Sequence, residues 1–425
     1  MEQPFSPQDA PDEAVPAETE PEATEPESAP TRPRKRRWAF ALGELTKAVA
    51  FMLCGAILAL LLVPNSLIGL AHPSSALQKL ALLEQMVRTY YVDTDAIDSQ
   101  RLVDSLSSGY FYGIGDPYSA YLDRETYAEI CYANEGGTSG IGVDVVYAAD
   151  PEAIYIIHVM KDSPAEEAGL LKGDRILAVA GEAVTLDTYA DRVNAVRGEL
   201  GTKVTLTLLR EGKTFDLEIE RREFTATSVY ARVIDGIGYI EITGFSAATL
   251  EQFEAALQEM LDAGVTGLVF DLRDNLGGLV DTASKMLDLL LPKGEIGYAV
   301  YNNGRRESLA ESDAKEIDLP MAVLVNGSSA SASEYFASAL RDYEKAILVG
   351  ETTFGKGIMQ STMPLGDGTA VRLTVAKFYT KSGTEFHGVG LKPDLEVSLP
   401  DASVSRHLLS DEEDTVLTAA IRALR

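Results

Sequence analysis

A continuous apolar run near the N-terminus constrains this chain more than any other feature. No residue from Ala48 to Ala71 is charged, and its stretch AVAFMLCGAILALLLV is wholly apolar. A helix of this length, at ~1.5 Å per residue, exceeds the ~30 Å hydrocarbon core of a bilayer. The basic cluster RPRKRR (32–37) precedes the run, and such clusters stay on the cytoplasmic side. We therefore predict a single-pass signal anchor in the cell membrane, with a cytoplasmic N-terminus and an extracytoplasmic body.

Two alternatives for the same run involve cleavage. The sequence SLIGLAH behind it is a poor signal-peptidase site, although it leaves open whether the anchor is removed. Cys54 follows Met52 and Leu53, which are unsuitable residues in front of a lipidated cysteine. A retained anchor is the preferred interpretation.

The net charge of −28 is distributed unevenly along the chain. Residues 1–31 hold nine acidic residues, seven prolines and no Lys or Arg, which predicts a disordered tail. Residues 48–425 hold 55 acidic and 31 basic residues, so the extracytoplasmic body is acidic, which argues against nucleic-acid binding. Two cysteines and four scattered histidines predict neither a disulfide framework nor a metal centre.

Glycine-rich loops and short alternating strands run from Gly136 to Arg222. The segments VTLTLLR (204–210) and TFDLEIE (214–220) have the alternation of a β-hairpin. Together with SGIGV (139–143) and SPAEEAGLLKGDRI (163–176), this segment resembles a PDZ domain. The resemblance implies that a peptide adds a strand to the sheet and that its C-terminal carboxylate binds backbone N–H groups. The implied peptide-binding residues are Gly140, Ile141, Gly142 and Val143. The alternative is that these glycines only make tight turns.

Strands and helices alternate after Glu223, which indicates an α/β layer with crossover connections. The predicted strands are 238–245, 265–274, 321–326 and 345–350, and the predicted helices between them are 248–264, 279–291 and 333–343. Two earlier helices are predicted at 76–91 and 101–112.

Two loops of this α/β region are candidates for chemistry. Ser331 lies in NGSSASASE (326–334), three residues before Glu334, a spacing that also fits a helix-capping box. GETTFGKG (350–357) approaches a phosphate-binding loop, but Gly357 occupies the position that a Ser or Thr must fill to bind magnesium. Ser331 and Lys356 together suggest a serine–lysine dyad, in which burial must lower the lysine pKa from about 10.4. Neither loop contains a histidine, so the alternative is a histidine base from elsewhere in the chain, His158 or His387.

These loops, with DPYSAYL (116–122), DLRDNLGG (271–278) and FHGVGLKPD (386–394), resemble the carboxyl-terminal processing peptidases of family S41 over roughly residues 76–400. The resemblance implies that Ser331 is the nucleophile, Lys356 the general base and Gln360 the residue that orients the lysine. It implies an oxyanion hole formed by the amides of Ala332 and of Gly277 or Gly278, and no cofactor. It also implies a substrate protein or peptide with a free C-terminus. A further hypothesis is that the PDZ-like domain gates the active site.

The fold class predicted from these features is an α/β (α+β) peptidase core with crossover βαβ units, an inserted PDZ-like β-rich domain and one N-terminal transmembrane helix. The predicted boundaries are tail 1–37, anchor 38–71, helical region 72–128, PDZ-like domain 129–223, peptidase core 224–400 and C-terminal linker with helix 401–425. The alternative function is a catalytically degenerate, membrane-tethered PDZ scaffold. No motif fixes the oligomeric state, so a homo-oligomer is left open.

Overall fold

The computed structural model describes residues 75–425. The predicted tail and signal anchor lie outside these residues. Within them, no helix has both the length and the apolar composition needed to cross a bilayer.

Residues 75–97 belong to a separate unit from residues 98–425. The described part of this unit holds helix α1 (Ser75–Tyr90) and a short 3-10 turn, Thr94–Ala96. The helix predicted at 76–91 is therefore confirmed.

The second unit begins with a helical segment that leads into the α/β core. Helix α2 (Ser99–Tyr112) starts at Asp98, whose side chain accepts the amides of Gln100 and Arg101. The loop after α2 reaches strand β1 (Ala120–Leu122), and helix α3 (Arg124–Asn134) follows. The helix predicted at 101–112 thus begins two residues earlier, at an Asp cap that the apolar pattern does not include.

The PDZ-like domain stands on a two-stranded neck. Strand β2 (Gly137–Gly140) enters the domain and pairs antiparallel with β9 (Arg222–Thr225), which leaves it. Between them lie β3 (Val143–Ala149), β4 (Glu152–Val159), α4 (Pro164–Glu167), β5 (Arg175–Val179), β6 (Glu182–Ala183), α5 (Tyr189–Val196), β7 (Lys203–Arg210) and β8 (Lys213–Glu220). The main strand order is β3-β4-β5-β7-β8, so β3 is an edge strand. The predicted hairpin is β7–β8.

The α/β core is built on a six-stranded sheet of order β10-β11-β12-β15-β16-β19. Its strands are β10 (Val229–Ile234), β11 (Ile237–Ile242), β12 (Leu268–Asp271), β15 (Met321–Val325), β16 (Ala346–Gly350) and β19 (Leu395–Glu396). All neighbours pair in parallel except β10 with β11. The predicted crossover layer is confirmed, and its strands are shorter than predicted because the apolar runs continue into buried turns.

Helices cover both faces of this sheet. One face packs against α6 (Thr249–Asp262), α7 (Val280–Asp288) and α8 (Ala332–Asp342), and its core includes Phe270 and Phe336. The other face packs against α9 (Thr415–Ala423) through a smaller cluster. The predicted C-terminal helix therefore packs on the core, burying Val416, Leu417, Ala420 and Ile421, with Leu424 partly buried beside them.

A second sheet completes the core and was not predicted from the sequence. It consists of β1 with β13 (Gly294–Tyr301), β14 (Arg306–Ser312), β17 (Ile358–Pro364) and β18 (Ala370–Thr380). Strand β18 pairs with β1, β13 and β17. This sheet brings the loop before β1 next to the Lys356 loop.

Candidate active site

Ser331 occupies the turn between strand β15 and helix α8. Its φ of +58° lies in a region that residues other than glycine rarely adopt, and its exposure is 9%. The neighbouring Ala330 amide donates to the Asn275 carbonyl at 3.0 Å, which ties the turn to the loop after β12. A strained, well-fixed residue at a strand-to-helix turn is a frequent setting for a functional side chain.

Glu334, in the first turn of α8, holds the two predicted catalytic loops together. Its carboxylate is fully buried. Oε2 accepts the amides of Ser331 at 2.9 Å and Lys356 at 2.7 Å, while Oε1 accepts the Gly355 amide at 2.7 Å and the Thr353 hydroxyl at 2.5 Å. The capping spacing predicted the first of these bonds. The other three come from a loop more than 18 residues away, and no local pattern indicates them.

Lys356 lies between the Glu334 carboxylate and the loop before β1. Its Nζ stands 4.6 Å from the ring centroid of Tyr118. Burial and the nearby Arg372 guanidinium lower the pKa of Lys356, against the opposing pull of Asp116 and Glu334. Partial burial lets an amine lose its proton more readily than in water, while the Tyr118 ring favours the charged form.

Gln360 lies on β17, four residues after Lys356. Its Nε2 donates to Thr374 Oγ1 on β18 at 3.3 Å. Within residues 75–425, the Lys356 ammonium makes no hydrogen bond to Gln360 or to Ser331 Oγ. Gln360 is thus on the strand that leads away from the lysine, and its orienting role stays a prediction.

The backbone around Gly277 and Gly278 lies directly against Ser331. A Cβ on Gly277 would stand 2.9 Å from both the Ser331 Cβ and the Ala332 nitrogen. The Gly277 amide donates to Asn275 Oδ1 at 2.8 Å. The amides of Gly278 and Ala332 have no acceptor among the described residues. Of the two glycines predicted for an oxyanion hole, Gly278 therefore has the available N–H in this arrangement.

Comparison with known proteins identifies the group to which this geometry belongs. The family model of peptidase family S41 matches residues 236–397, and a PDZ-domain model matches residues 155–210. The chain is 37% identical to the carboxy-terminal-processing protease of Bartonella bacilliformis over 74% of this chain and 74% of that protein. It is also 37% identical to the carboxy-terminal processing protease CtpA of Bacillus subtilis, over 77% and 70% of the two chains.

The chain belongs to the carboxyl-terminal processing proteases of family S41. It is a serine-type peptidase that acts on proteins. A solved structure assigned to the S41 proteases, from Bacteroides fragilis, is similar in fold, with a TM-score of 0.54 and 20% identity over 73% of this chain and 87% of that one.

The DPYSAYL motif of the protease forms one wall of the site, a role that its sequence did not reveal. Asp116 accepts the Ser119 hydroxyl at 2.6 Å and the Tyr118 amide at 3.0 Å. Although burial opposes it, hydrogen bonding from Ser119 and Thr374 lowers the pKa of Asp116. The ionised Asp116 and the Tyr118 ring both lie near the Lys356 side chain.

The predicted peptide-binding residues of the PDZ domain lie at the start of β3, the edge strand of its sheet. The amides of Ile141 and Gly142 donate no hydrogen bond within the described residues, and Gly140 and Gly142 have φ of +135° and +87°. A cavity of about 790 Å³ runs between β3, α5 and the core segment at 397–407. Val143 lines its PDZ side, while Val397 and Leu399 line its core side.

The three histidines within residues 75–425 lie in two places. His387 lies beside Gly357, and its buried Nδ1 has no hydrogen-bond partner among the described residues. His158 and His407 lie at the contact between the PDZ domain and the core, with Glu241, and their ligand atoms are within 4.8 Å of one another. Arg406 donates to Glu241 Oε1 at 2.6 Å, so a cation there would meet a guanidinium. This cluster fits a charge network better than a metal centre.

The loop GETTFGKG connects two strands, β16 and β17. A phosphate-binding loop would lead into a helix whose N-terminal amides face the phosphate. The structure therefore disfavours the nucleotide-binding alternative.

Proposed function

We propose that the protease is a membrane-anchored, extracytoplasmic endopeptidase that cleaves polypeptides recognised near their C-terminus, with Ser331 as nucleophile and Lys356 as general base. The observation that carries the proposal is the shared Glu334 oxygen, because it fixes the backbones of both residues to one atom. A lowered lysine pKa supports the same assignment.

Peptide cleavage by this pair proceeds through an acyl-enzyme. Neutral Lys356 removes the Ser331 hydroxyl proton while Oγ attacks the carbonyl carbon of the scissile bond. The lysine then gives that proton to the leaving amine as the C–N bond breaks. Water, deprotonated by the same lysine, attacks the ester and releases the new carboxylate and Ser331.

The amides of Ala332 and Gly278 are the proposed donors to the tetrahedral oxyanion, with Gly277 as the alternative if its bond to Asn275 opens. Two donors aimed at a developing charge are each worth roughly 3 kcal/mol in reactions of this kind. The proximity of Gly277 to the Ser331 Cβ supports this placement, because it puts the loop of both glycines next to the nucleophile.

The PDZ domain is proposed to bind the C-terminal carboxylate at the Ile141 and Gly142 amides, with the peptide pairing along β3. The free edge of β3 and the apolar side chains that line the cavity favour a peptide with an apolar C-terminus. A peptide with a C-terminal amide should then be cleaved with a raised KM and a kcat that changes little.

The catalytic assignment is tested with Ser331→Ala and Lys356→Ala on an unfolded protein substrate with an apolar C-terminus. Both variants should lose cleavage entirely. Ser328→Ala and Lys392→Ala are matched controls, since both side chains are exposed and outside the site. Cleavage that survives Ser331→Ala would reject the mechanism, and a wild-type protein with no cleavage would favour the scaffold alternative.

His387→Ala separates the two candidate bases. If Lys356 is the base, the variant should keep most of its kcat, because His387 then contributes only packing beside Gly357. A loss as complete as that of Lys356→Ala would instead assign the proton transfer to His387.

The anchor is tested in membranes from cells that express the full chain. The protein should pellet with the membranes and resist extraction by carbonate. In right-side-out vesicles, an added protease should digest the part after residue 71. A protein that is soluble, or protected in such vesicles, would overturn the proposed topology.

A further inference from the structure

A buried charge network lies where the PDZ domain meets the peptidase core. Arg273 donates to Asp271 at 2.6 Å and to Asp414 at 2.7 Å, and Arg406 donates to Glu241 at 2.6 Å. Three carboxylates thus share two guanidinium groups, and every one of these side chains is buried. The core alone leaves one negative charge uncompensated, which is costly in a buried site.

His158, on strand β4 of the PDZ domain, reaches into this network. Its Nε2 stands 3.4 Å from Glu241 Oε2, and its Nδ1 stands 3.4 Å from Asp144 Oδ2. The ring stacks on Tyr230, with centroids 3.6 Å apart and planes 12° from parallel. Its side chain is 8% exposed, so water supplies little compensation.

The carboxylates on both sides decide which form of the imidazole fits. A neutral ring has one N–H and one lone pair, so one of its nitrogens would turn a lone pair toward a carboxylate. An imidazolium has two N–H groups and presents one toward each carboxylate, although Nδ1 makes no hydrogen bond to Asp144 in this arrangement. It also places a positive charge between the Asp144 carboxylate and the core carboxylate of Glu241.

The network continues to the loops of the active site. Arg406 Nε lies 3.3 Å from Asp274 Oδ2, and Asp274 exchanges two hydrogen bonds with Asn326, at 3.0 and 2.9 Å. The next residue, Asn275, accepts the Gly277 amide. A short series of hydrogen bonds and peptide bonds therefore connects Arg406 to Gly277 and Gly278, the glycines beside Ser331.

We propose that His158 is a positioning residue for peptide cleavage: its imidazolium holds the PDZ domain on the core and completes the charge network that fixes the Gly277–Gly278 loop. Deprotonation of His158 loosens both. Of the tests of this proposal, only those that measure peptide cleavage depend on the proposed function.

The other groups that face the ring favour this charge state. Burial lowers the pKa of His158, but Asp144 and Glu241 together raise it above its ordinary value. Although burial raises it, His158 and Arg406 lower the pKa of Glu241 to about 2, so Glu241 stays ionised. Burial and Arg406 lower the pKa of His407 to about 4, so its ring is uncharged near pH 7. Burial and Asp144 raise the pKa of Tyr230, so its hydroxyl is also uncharged at that pH.

The sign of the pH dependence follows from the raised pKa. A histidine whose pKa is higher in the docked state stabilises that state fully below about pH 6.5, and the stabilisation is lost as pH rises through the raised value. Docking of the PDZ domain should therefore weaken on the alkaline side.

The first test is direct titration of His158 by NMR in full-length Ser331→Ala protein with labelled histidines. The chain has four histidines, so His158→Gln assigns the signal by its disappearance. The expected result is an apparent pKa above 6.5, with both nitrogens protonated below it. A pKa at or below 6.5 overturns the proposal, and this result does not depend on catalysis.

The second test compares kcat/KM of wild type and His158→Gln from about pH 6 to about pH 9. Taking the ratio at each pH cancels the contribution of Lys356. The ratio should be about fivefold or more at the acid end, in the range of typical coupling between sites, and approach one at the alkaline end. A ratio that is constant with pH would mean that His158 is only structural. His407→Gln, which removes a neutral ring, should show no such pH dependence.

Asp144→Asn provides a second variant should His158→Gln fail to fold. Its side chain is 31% exposed, so the substitution is tolerated more easily than one in the buried network. Removing this carboxylate lowers the pKa of His158, so the alkaline decline in kcat/KM should move to lower pH. An unmoved decline would contradict the proposal.

Discussion

The backbone amides of Ser331 and Lys356 donate to the same oxygen atom, Oε2 of Glu334, at 2.9 and 2.7 Å. Residues from two separate loops are thus held at a fixed spacing by a buried carboxylate in the first turn of α8. Because the bonds are made by the main chain, the side chains of both residues stay available for chemistry.

Replacing Glu334 with Gln should remove most activity without touching either catalytic side chain. The amide has a single acceptor oxygen and an NH₂ group that would face donors, so at least one buried N–H loses its partner at a cost of about 1–3 kcal/mol. Misplacement of the two loops should lower kcat by about 100-fold, with a smaller change in KM. Steady-state kinetics measure this, and Glu254→Gln, on the exposed side of α6, is the matched control.

Gly277→Ala should abolish cleavage because of a collision. The new Cβ would stand 2.7 Å from the Ala330 carbonyl oxygen and 2.9 Å from the Ser331 Cβ. Gly236→Ala separates this clash from backbone strain, since Gly236 also has positive φ, at +81°, but a Cβ added there would meet no atom within 4 Å. If Gly277→Ala and Gly236→Ala have equal kcat, the loop does not lie against the nucleophile as described.

The acid side of the pH–rate profile should follow the charges around Lys356. Activity rises with pH as Lys356 loses its proton, because only the neutral amine can act as base. Arg372→Gln removes a cation that lowers this pKa, so the rise should move to higher pH. Asp116→Asn removes an anion that raises it, so the rise should move to lower pH. Shifts in the same direction for both variants would contradict Lys356 as the titrating group.

Leu417→Ala should destabilise the fold by about 2–4 kcal/mol, since the side chain is 2% exposed in the cluster between α9 and the sheet. Urea unfolding measures the loss. Arg422→Ala on the exposed side of the same helix should leave the midpoint nearly unchanged. If the two variants unfold alike, α9 does not pack on the core.

The sequence predicted the crossover layer well because its strands are continuous apolar runs and its helices have apolar faces of the right period. Helix α8, predicted at 333–343, is Ala332–Asp342, and strand β15, predicted at 321–326, is Met321–Val325. These elements carry Ser331 and the loop before it. In these elements the apolar positions that the sequence pattern marks are the positions that the fold buries.

The second sheet could not be predicted in the same way. Strands β17 and β18 mix polar and apolar residues, and β1 has only three residues, so none has a clear period. Their pairing joins residues 120–122 to residues 370–372, across the whole PDZ domain. The contact of Tyr118 with Lys356 depends on this long-range pairing, which a single sequence does not encode in any local signal.

The paired neck of β2 and β9 has a consequence for how strong any docking contact must be. Both ends of the PDZ domain stay attached to the core, so a domain that lifts away remains at a high effective concentration, typically millimolar for a short tether. Re-docking is then an intramolecular event that costs little entropy. Protonation of one side chain is then enough to change the populations of the docked and undocked PDZ domain. Two separate proteins would need the binding energy of a whole interface for the same effect.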